Sequence, residues 1–148
     1  MARLAILRLR PSASLPYYAR TGDAGLDLFA ADDSTIGPGG RAAVPTGLAV
    51  AIPAGHAGLV LARSGMALRH GVTVINAPGL IDSGYRGELL VALVNHGEDP
   101  FAIRTGDRIA QLVVVPVATA AIEVVDELPE SPGGDQSRGE GGFGHTGK

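Results

Sequence analysis

The stretch N-A-P-G-L-I-D-S-G-Y-R-G-E at 76–88 sets an amide, a carboxylate and a phenol around a Ser-Gly turn. Asn76 and Asp82 both fall where apolar runs meet turns, a place where side chains converge. A lone carboxylate beside a bound phosphate can act as a general base on water. A tyrosine ring can lie flat against a sugar and occupy the space a 2′-hydroxyl needs. The other reading of these residues is a plain β-hairpin turned by Asp-Ser-Gly. That reading accounts for the glycine but leaves Tyr85, one of three tyrosines in the chain, without a task.

Three further stretches carry chemistry. In A-R-S-G at 62–65, a guanidinium, a hydroxyl and backbone N–H groups suit a phosphate. On those four residues alone, a solvated loop before a short helix is the plainer reading. In G-D-R-I-A-Q-L at 106–112, Asp107 and Arg108 read as a surface pair of little energetic weight. Gln111 interrupts an aliphatic run and, if buried, must satisfy its amide with a backbone group or a held water. In R-G-E-G-G-F-G-H-T-G at 138–147, composition favours a disordered tail. The same residues suit a flap in which Arg138 grips a terminal phosphate, Phe143 stacks on a base and the glycines let the backbone close. His56, His70, His96 and His145 show no ligand spacing, and a chain without cysteine gives a zinc site no support.

The elements that must position these residues are strands. β-rich runs recur at 4–9, 26–30, 42–44, 48–52, 58–61, 72–75, 89–95, 101–103 and 109–117. Turn residues separate them at 36–41, 52–58, 76–79, 95–100 and 104–107. Many short strands with Gly/Pro turns predict an all-β sandwich or barrel. The aliphatic runs at 89–94 and 112–117 predict strands buried on both faces. One helix of at most two turns is expected over 63–71, capped by Ser64 and ended by Gly71. Alternation over 23–29 puts Asp27 on the face of Phe29, where a buried carboxylate needs a partner. From Pro129 the composition shifts to a Gly-rich segment with one bulky apolar residue, Phe143, which predicts a mobile tail.

The 148 residues suit one domain, with a core of Val, Leu, Ile and Ala because aromatics are only 4%. Net charge is −3 with no basic block, which argues against a general nucleic-acid surface. An anionic ligand would need local arginines or a metal. No run approaches the roughly 20 apolar residues of a membrane span. The opening M-A-R-L-A-I-L-R lacks a secretory h-region, so a cytoplasmic address is expected.

Taken in order, these four stretches and D-A-G-L-D-L-F-A-A at 23–31 resemble the five motifs of the trimeric deoxyuridine triphosphate nucleotidohydrolases, the dUTPases. The resemblance runs over 23–147. It implies a jelly-roll-like β-barrel of the β-clip type over 1–128, a mobile Gly-rich flap over 129–148, and a homotrimer with shared active sites. It implies hydrolysis of dUTP to dUMP and pyrophosphate with Mg2+ on the triphosphate, which supplies dUMP for thymidylate and keeps uracil out of DNA. Carried onto this chain, it implies that Asp82 activates water and touches the sugar, that Tyr85 excludes ribose, and that Gln111 orients the water. Asn76 and the backbone around Leu80, Ile81 and Leu90 would read uracil. Arg63, Ser64 and Gly65 would hold phosphates, and Asp27 would reach the metal through water. Arg138, Phe143 and Gly144 would close on the nucleotide. Two positions depart from the family's usual pattern: Ala62 stands where proline is usual, and His145 where serine or threonine is. The dCTP deaminases share the broad fold but typically carry a second serine at the place of Gly65. A catalytically silent nucleotide-binding module is the remaining alternative, against which Asp82 and the tail speak.

Overall fold

Short aliphatic and β-branched runs cut by Gly and Pro favour pleated strands over helices. The computed structural model describes residues 3–132. In chain order its elements are β1 (Ala5–Arg8), β2 (Leu26–Phe29), β3 (Ser34–Ile36), β4 (Arg41–Ala51), β5 (His56–Leu61), α1 (Ser64–His70), β6 (Val72–Val74), β7 (Gly79–Ile81), β8 (Glu88–Asn95), β9 (Phe101–Ile103) and β10 (Arg108–Pro116). They form two four-stranded sheets, ordered β1-β4-β8-β6 and β2-β10-β5-β7, and a ribbon of β3 with β9. All pairings are antiparallel. The all-β, jelly-roll-like architecture is the one expected from the sequence. No helix of the described residues is long and apolar enough to cross a membrane.

The core lies between the sheets. Leu28, Val44, Leu89, Val91, Leu93, Ile103, Ile109 and Leu112 are all buried in one cluster. Each such side chain contributes about 1.5–3 kcal/mol by leaving water. The core is aliphatic, as the scarcity of aromatics requires.

Several expectations need correction. The runs at 42–44 and 48–52 belong to one strand, β4, whose pairing with β8 shifts between Pro45 and Ala49. Proline has no N–H for the ladder, and the buried Thr46 hydroxyl bridges the irregularity by donating to Leu89 O at 2.7 Å. β8 is not buried on both faces throughout: Leu89 and Val91 are buried, whereas Leu90 is 49% exposed. Likewise Val113, Val114 and Val115 of β10 are only partly buried, and Val117 is exposed.

The helix has the expected length, but Ser64 is its first residue and not its cap. Arg63 takes the N-cap position in extended conformation, without a side-chain cap bond. Gly71 ends the helix as expected, at φ 66° with its N–H returned to Ala67 O at 3.1 Å. A side chain there would adopt a strained backbone and would also meet Gly97 N at 2.7 Å.

The plain β-hairpin, the other reading of 76–88, does not form. β7 pairs with β5 in one sheet, while β8 pairs with β4 and β6 in the other. Residues 82–87 therefore carry the chain from one sheet to the other, and Asp82 and Tyr85 sit on that crossover.

Candidate active site

The crossover forms the first cleft. Its bend is closed by the Tyr85 N–H, which donates to Asp82 O at 3.1 Å. The Tyr85 hydroxyl donates to Glu88 O at 2.8 Å, so the ring lies back across the bend. Gly87 makes room for it, since a methyl at 87 would come within 2.8 Å of Tyr85 Cζ. Arg86 Nη1 ties the bend further by donating to Ser83 O and Tyr85 O at 2.7 Å each. Leu80, Ile81, Asp82, Tyr85, Glu88 and Leu90 line a cleft of about 210 Å³. The structure thus gathers four of the five candidates from 76–88, together with Leu90. The fifth, Asn76, is exposed at the head of β7, its amide beside Gly79.

Glu88 was not singled out in the sequence, yet it anchors the wall of this cleft. Its two carboxylate oxygens accept from Arg10 Nη2 at 3.0 and 2.9 Å, and Oε1 also accepts the Gly47 N–H at 2.8 Å. Arg10 reaches on to Asp32 at 2.7 Å.

Strand register builds the second cleft. Gln111 stands opposite Asp27 on β2 and opposite Leu61 on β5. The loop that follows β5 brings in Arg63, Ser64 and Gly65. Asp23, Gly25, Asp27, Arg63, Ser64, Gly65, Arg108 and Gln111 lie around a cleft of about 230 Å³. The buried Asp27 finds the partners its position demands: Arg108 Nη1 at 3.4 Å and Arg63 Nε at 3.7 Å. Arg63 Nη1 also donates to Arg108 O at 3.1 Å. Gln111 Nε2 donates to Ala62 O at 3.2 Å, which satisfies it through backbone.

Arg108 corrects the surface-pair reading of Asp107–Arg108, because its carboxylate partner is Asp27, 81 residues away in sequence. It is a site residue that the motif at 106–112 did not single out. The available signal was the unpaired acid on the buried face of 23–29. Arg138, Phe143, Gly144 and His145 lie outside the described residues. Among the described residues, no group of three His, Cys, Asp or Glu side chains is placed to hold a metal ion.

One cleft thus offers a carboxylate, a phenol and aliphatic walls, and the other offers guanidiniums around a lone buried carboxylate. A family model for dUTPase matches residues 11–147. The chain belongs to the dUTPase family. A deoxyuridine 5′-triphosphate nucleotidohydrolase of Syntrophotalea carbinolica is 51% identical over 144 residues, covering 96% of this chain and 95% of that one. One from an Anaeromyxobacter species is 54% identical over 138 residues, covering 93% and 90%. The solved dUTPase of Staphylococcus bacteriophage 80alpha with dUpNHpp superposes with a TM-score of 0.91 at 30% identity, over 99% of each chain. A variant of the dUTPase from S. aureus phage phi11, 28% identical with a TM-score of 0.80 over 84% of this chain and 97% of that one, coordinates a structural Mg(II) ion. The dUTPases are hydrolases that convert dUTP to dUMP and pyrophosphate, and this chain is one of them.

Proposed function

We propose that dUTP is bound and cleaved across the two clefts, with the nucleoside in the crossover cleft and the triphosphate in the arginine cleft. One observation carries this reading: the two clefts have complementary chemistry and share no lining residue. A homotrimer would bring a crossover cleft of one protomer against an arginine cleft of the next. The incompletely buried apolar residues of β10, with Val117 and Ile122 beyond it, are consistent with surface to be covered by such partners.

In this reading Asp82 accepts a proton from water as it attacks the α-phosphorus, and the α–β bridging oxygen leaves with pyrophosphate. Tyr85 lies under the deoxyribose, and Leu80, Ile81 and Leu90 wall the uracil, with Asn76 completing its recognition. Arg63, Ser64 and Gly65 hold phosphate oxygens, joined by Arg108. Gln111 orients the water from the floor of the second cleft. The chemistry needs alignment and charge neutralisation more than covalent help.

Asp27 fits Mg2+ only through intervening water, because its two oxygens already face guanidiniums and that ion keeps several waters when phosphates supply its other ligands. Bound there, Mg2+ would neutralise charge on the triphosphate. In the same reading Arg138 grips the γ-phosphate and Phe143, with Gly144, closes on uracil, so that the barrel at 1–128 works with a closing segment at 129–148. The composition and the nucleotide substrate favour action in the cytoplasm.

A panel of dUTP, dCTP, dTTP and UTP, read as pyrophosphate and ammonia released, tests the reaction. Pyrophosphate from dUTP alone is expected. Ammonia from dCTP, or no product from dUTP, would overturn the reading. Light scattering tests the trimer.

A further inference from the structure

The arginine cleft adjoins a second cavity of about 280 Å³, and the two have Arg63, Gly65 and Arg108 in common. The second adds Arg69 and His70 from the last turn of α1, with Phe101 and Asp107. Residues 65 and 69 are four apart on a helix and so share a face. A methyl added at Gly65 would come within 2.9 Å of Arg69 Nη2. The Arg69 guanidinium therefore lies back over the R-S-G loop, in space that a side chain at 65 would fill. The His70 ring packs on Phe101 with centroids 5.1 Å apart, which limits its freedom beside the cavity.

The charge balance of this cavity is positive in a chain whose net charge is −3. Three guanidiniums face one carboxylate within it, Asp107, whose Oδ2 already accepts the Arg104 N–H at 2.8 Å. Asp27 of the adjoining cleft is shared between Arg63 and Arg108. Among the described residues, Arg69 has no ion-pair partner.

We propose that the Arg69–His70 cavity is a leaving-group subsite that takes inorganic pyrophosphate after cleavage. This rests on the functional reading above. Hydrolysis turns the α–β bridging oxygen into a terminal one and so raises the charge on the departing group. A cavity with an additional guanidinium gains more from the product than from the intact triphosphate, and that differential affinity is what moves a ligand between adjoining sites. Because Arg63 and Arg108 border both cavities, the product can shift toward Arg69 without leaving its first cations.

The test measures initial rates of dUTP hydrolysis by the full chain with inorganic pyrophosphate added. In Arg69→Gln the inhibition constant for pyrophosphate should rise by roughly tenfold, the scale of one lost charge-assisted hydrogen bond, and the KM for dUTP should rise by less. Arg69→Lys should recover part of the loss. An inhibition constant blind to Arg69→Gln overturns the proposal, as does equal inhibition by orthophosphate and pyrophosphate in the unsubstituted chain. Should Arg69→Gln fail to fold, His70→Asn probes the same cavity by the same readout. If the unsubstituted chain releases no pyrophosphate from dUTP, the functional reading itself fails. If it does and inhibition ignores the cavity, only the subsite falls.

Discussion

The Tyr85 hydroxyl donates to the Glu88 carbonyl at 2.8 Å, and Glu88 is itself clamped by Arg10 and by the Gly47 amide. The phenol ring is thus tied to the first residue of β8 and braced from a segment near the N-terminus. Ring and hydroxyl have separable tasks. Tyr85→Phe keeps the ring and loses one tether, so discrimination against UTP should persist with a modest loss of rate. Tyr85→Ala removes the ring and should let UTP compete. Competition assays with UTP decide this, and unchanged discrimination in the alanine variant would mean that another residue reads the sugar.

Asp82 stands exposed at the crossover bend, where its carbonyl closes the turn and the residue lines the cleft. Asp82→Asn keeps the shape and removes the base. Turnover should fall by ~10²-fold or more while dUTP binding is retained, the scale of lost general-base catalysis. Single-turnover rates beside calorimetric binding of a nonhydrolysable analogue separate the two effects. Near-normal turnover would remove the base from Asp82.

The strands at 26–30, 89–95 and 101–103 are legible in the sequence because each is an aliphatic run bounded by turn residues. β3 and β7 are not, because Ser-Thr-Ile is mostly polar and Gly-Leu-Ile is embedded among the turn residues of 76–84. The crossover is hidden for a different reason. Asp-Ser-Gly reverses the chain whichever sheet the next strand joins, and that choice is made by non-local pairing with β4 and β5. The same logic divides the site. The need of Asp27 for a partner follows from its place on a buried face, whereas the identity of Arg108 depends on the β2–β10 register, which no local pattern encodes. Glu88 is invisible for the same reason, since its partners Arg10 and Gly47 come from distant segments.

Asp33 braces the turn that leads into β10. Its carboxyl is held below the usual value of 3.8 by the Thr105 backbone N–H first, then by Arg104 and the Thr105 hydroxyl. The folded pKa lies below the unfolded one, so this contribution is complete above the unfolded value and is lost as pH falls through the folded one. Asp33→Asn should therefore flatten part of the decline in stability below about pH 4. Thermal melts of both chains across that acid range test it. Parallel pH curves would show that Asp33 makes no such contribution.

The tail is tested by shortening the chain. Ending it after residue 132 removes Arg138, Phe143 and Gly144 and leaves every described strand in place. Among the described residues the buried core cluster runs from Leu28 to Leu112, so the melting temperature should barely move. Turnover of dUTP should fall sharply. A full rate in the shortened chain would take the tail out of the mechanism.

Asp27 sits between two guanidiniums, and removing it leaves them facing each other across the arginine cleft. Asp27→Ala should cost about 1–3 kcal/mol, a value held down by the long contacts and by the partial exposure of both arginines. Asp27→Asn keeps the volume and should cost less. Because the carboxylate also sets how far Arg63 and Arg108 swing toward phosphate, both variants should raise the KM for dUTP. Denaturant melts and steady-state kinetics on the two variants separate these effects. A melt unchanged in Asp27→Ala would mean that the arginines relax into solvent and that the buried pair contributes nothing to the fold.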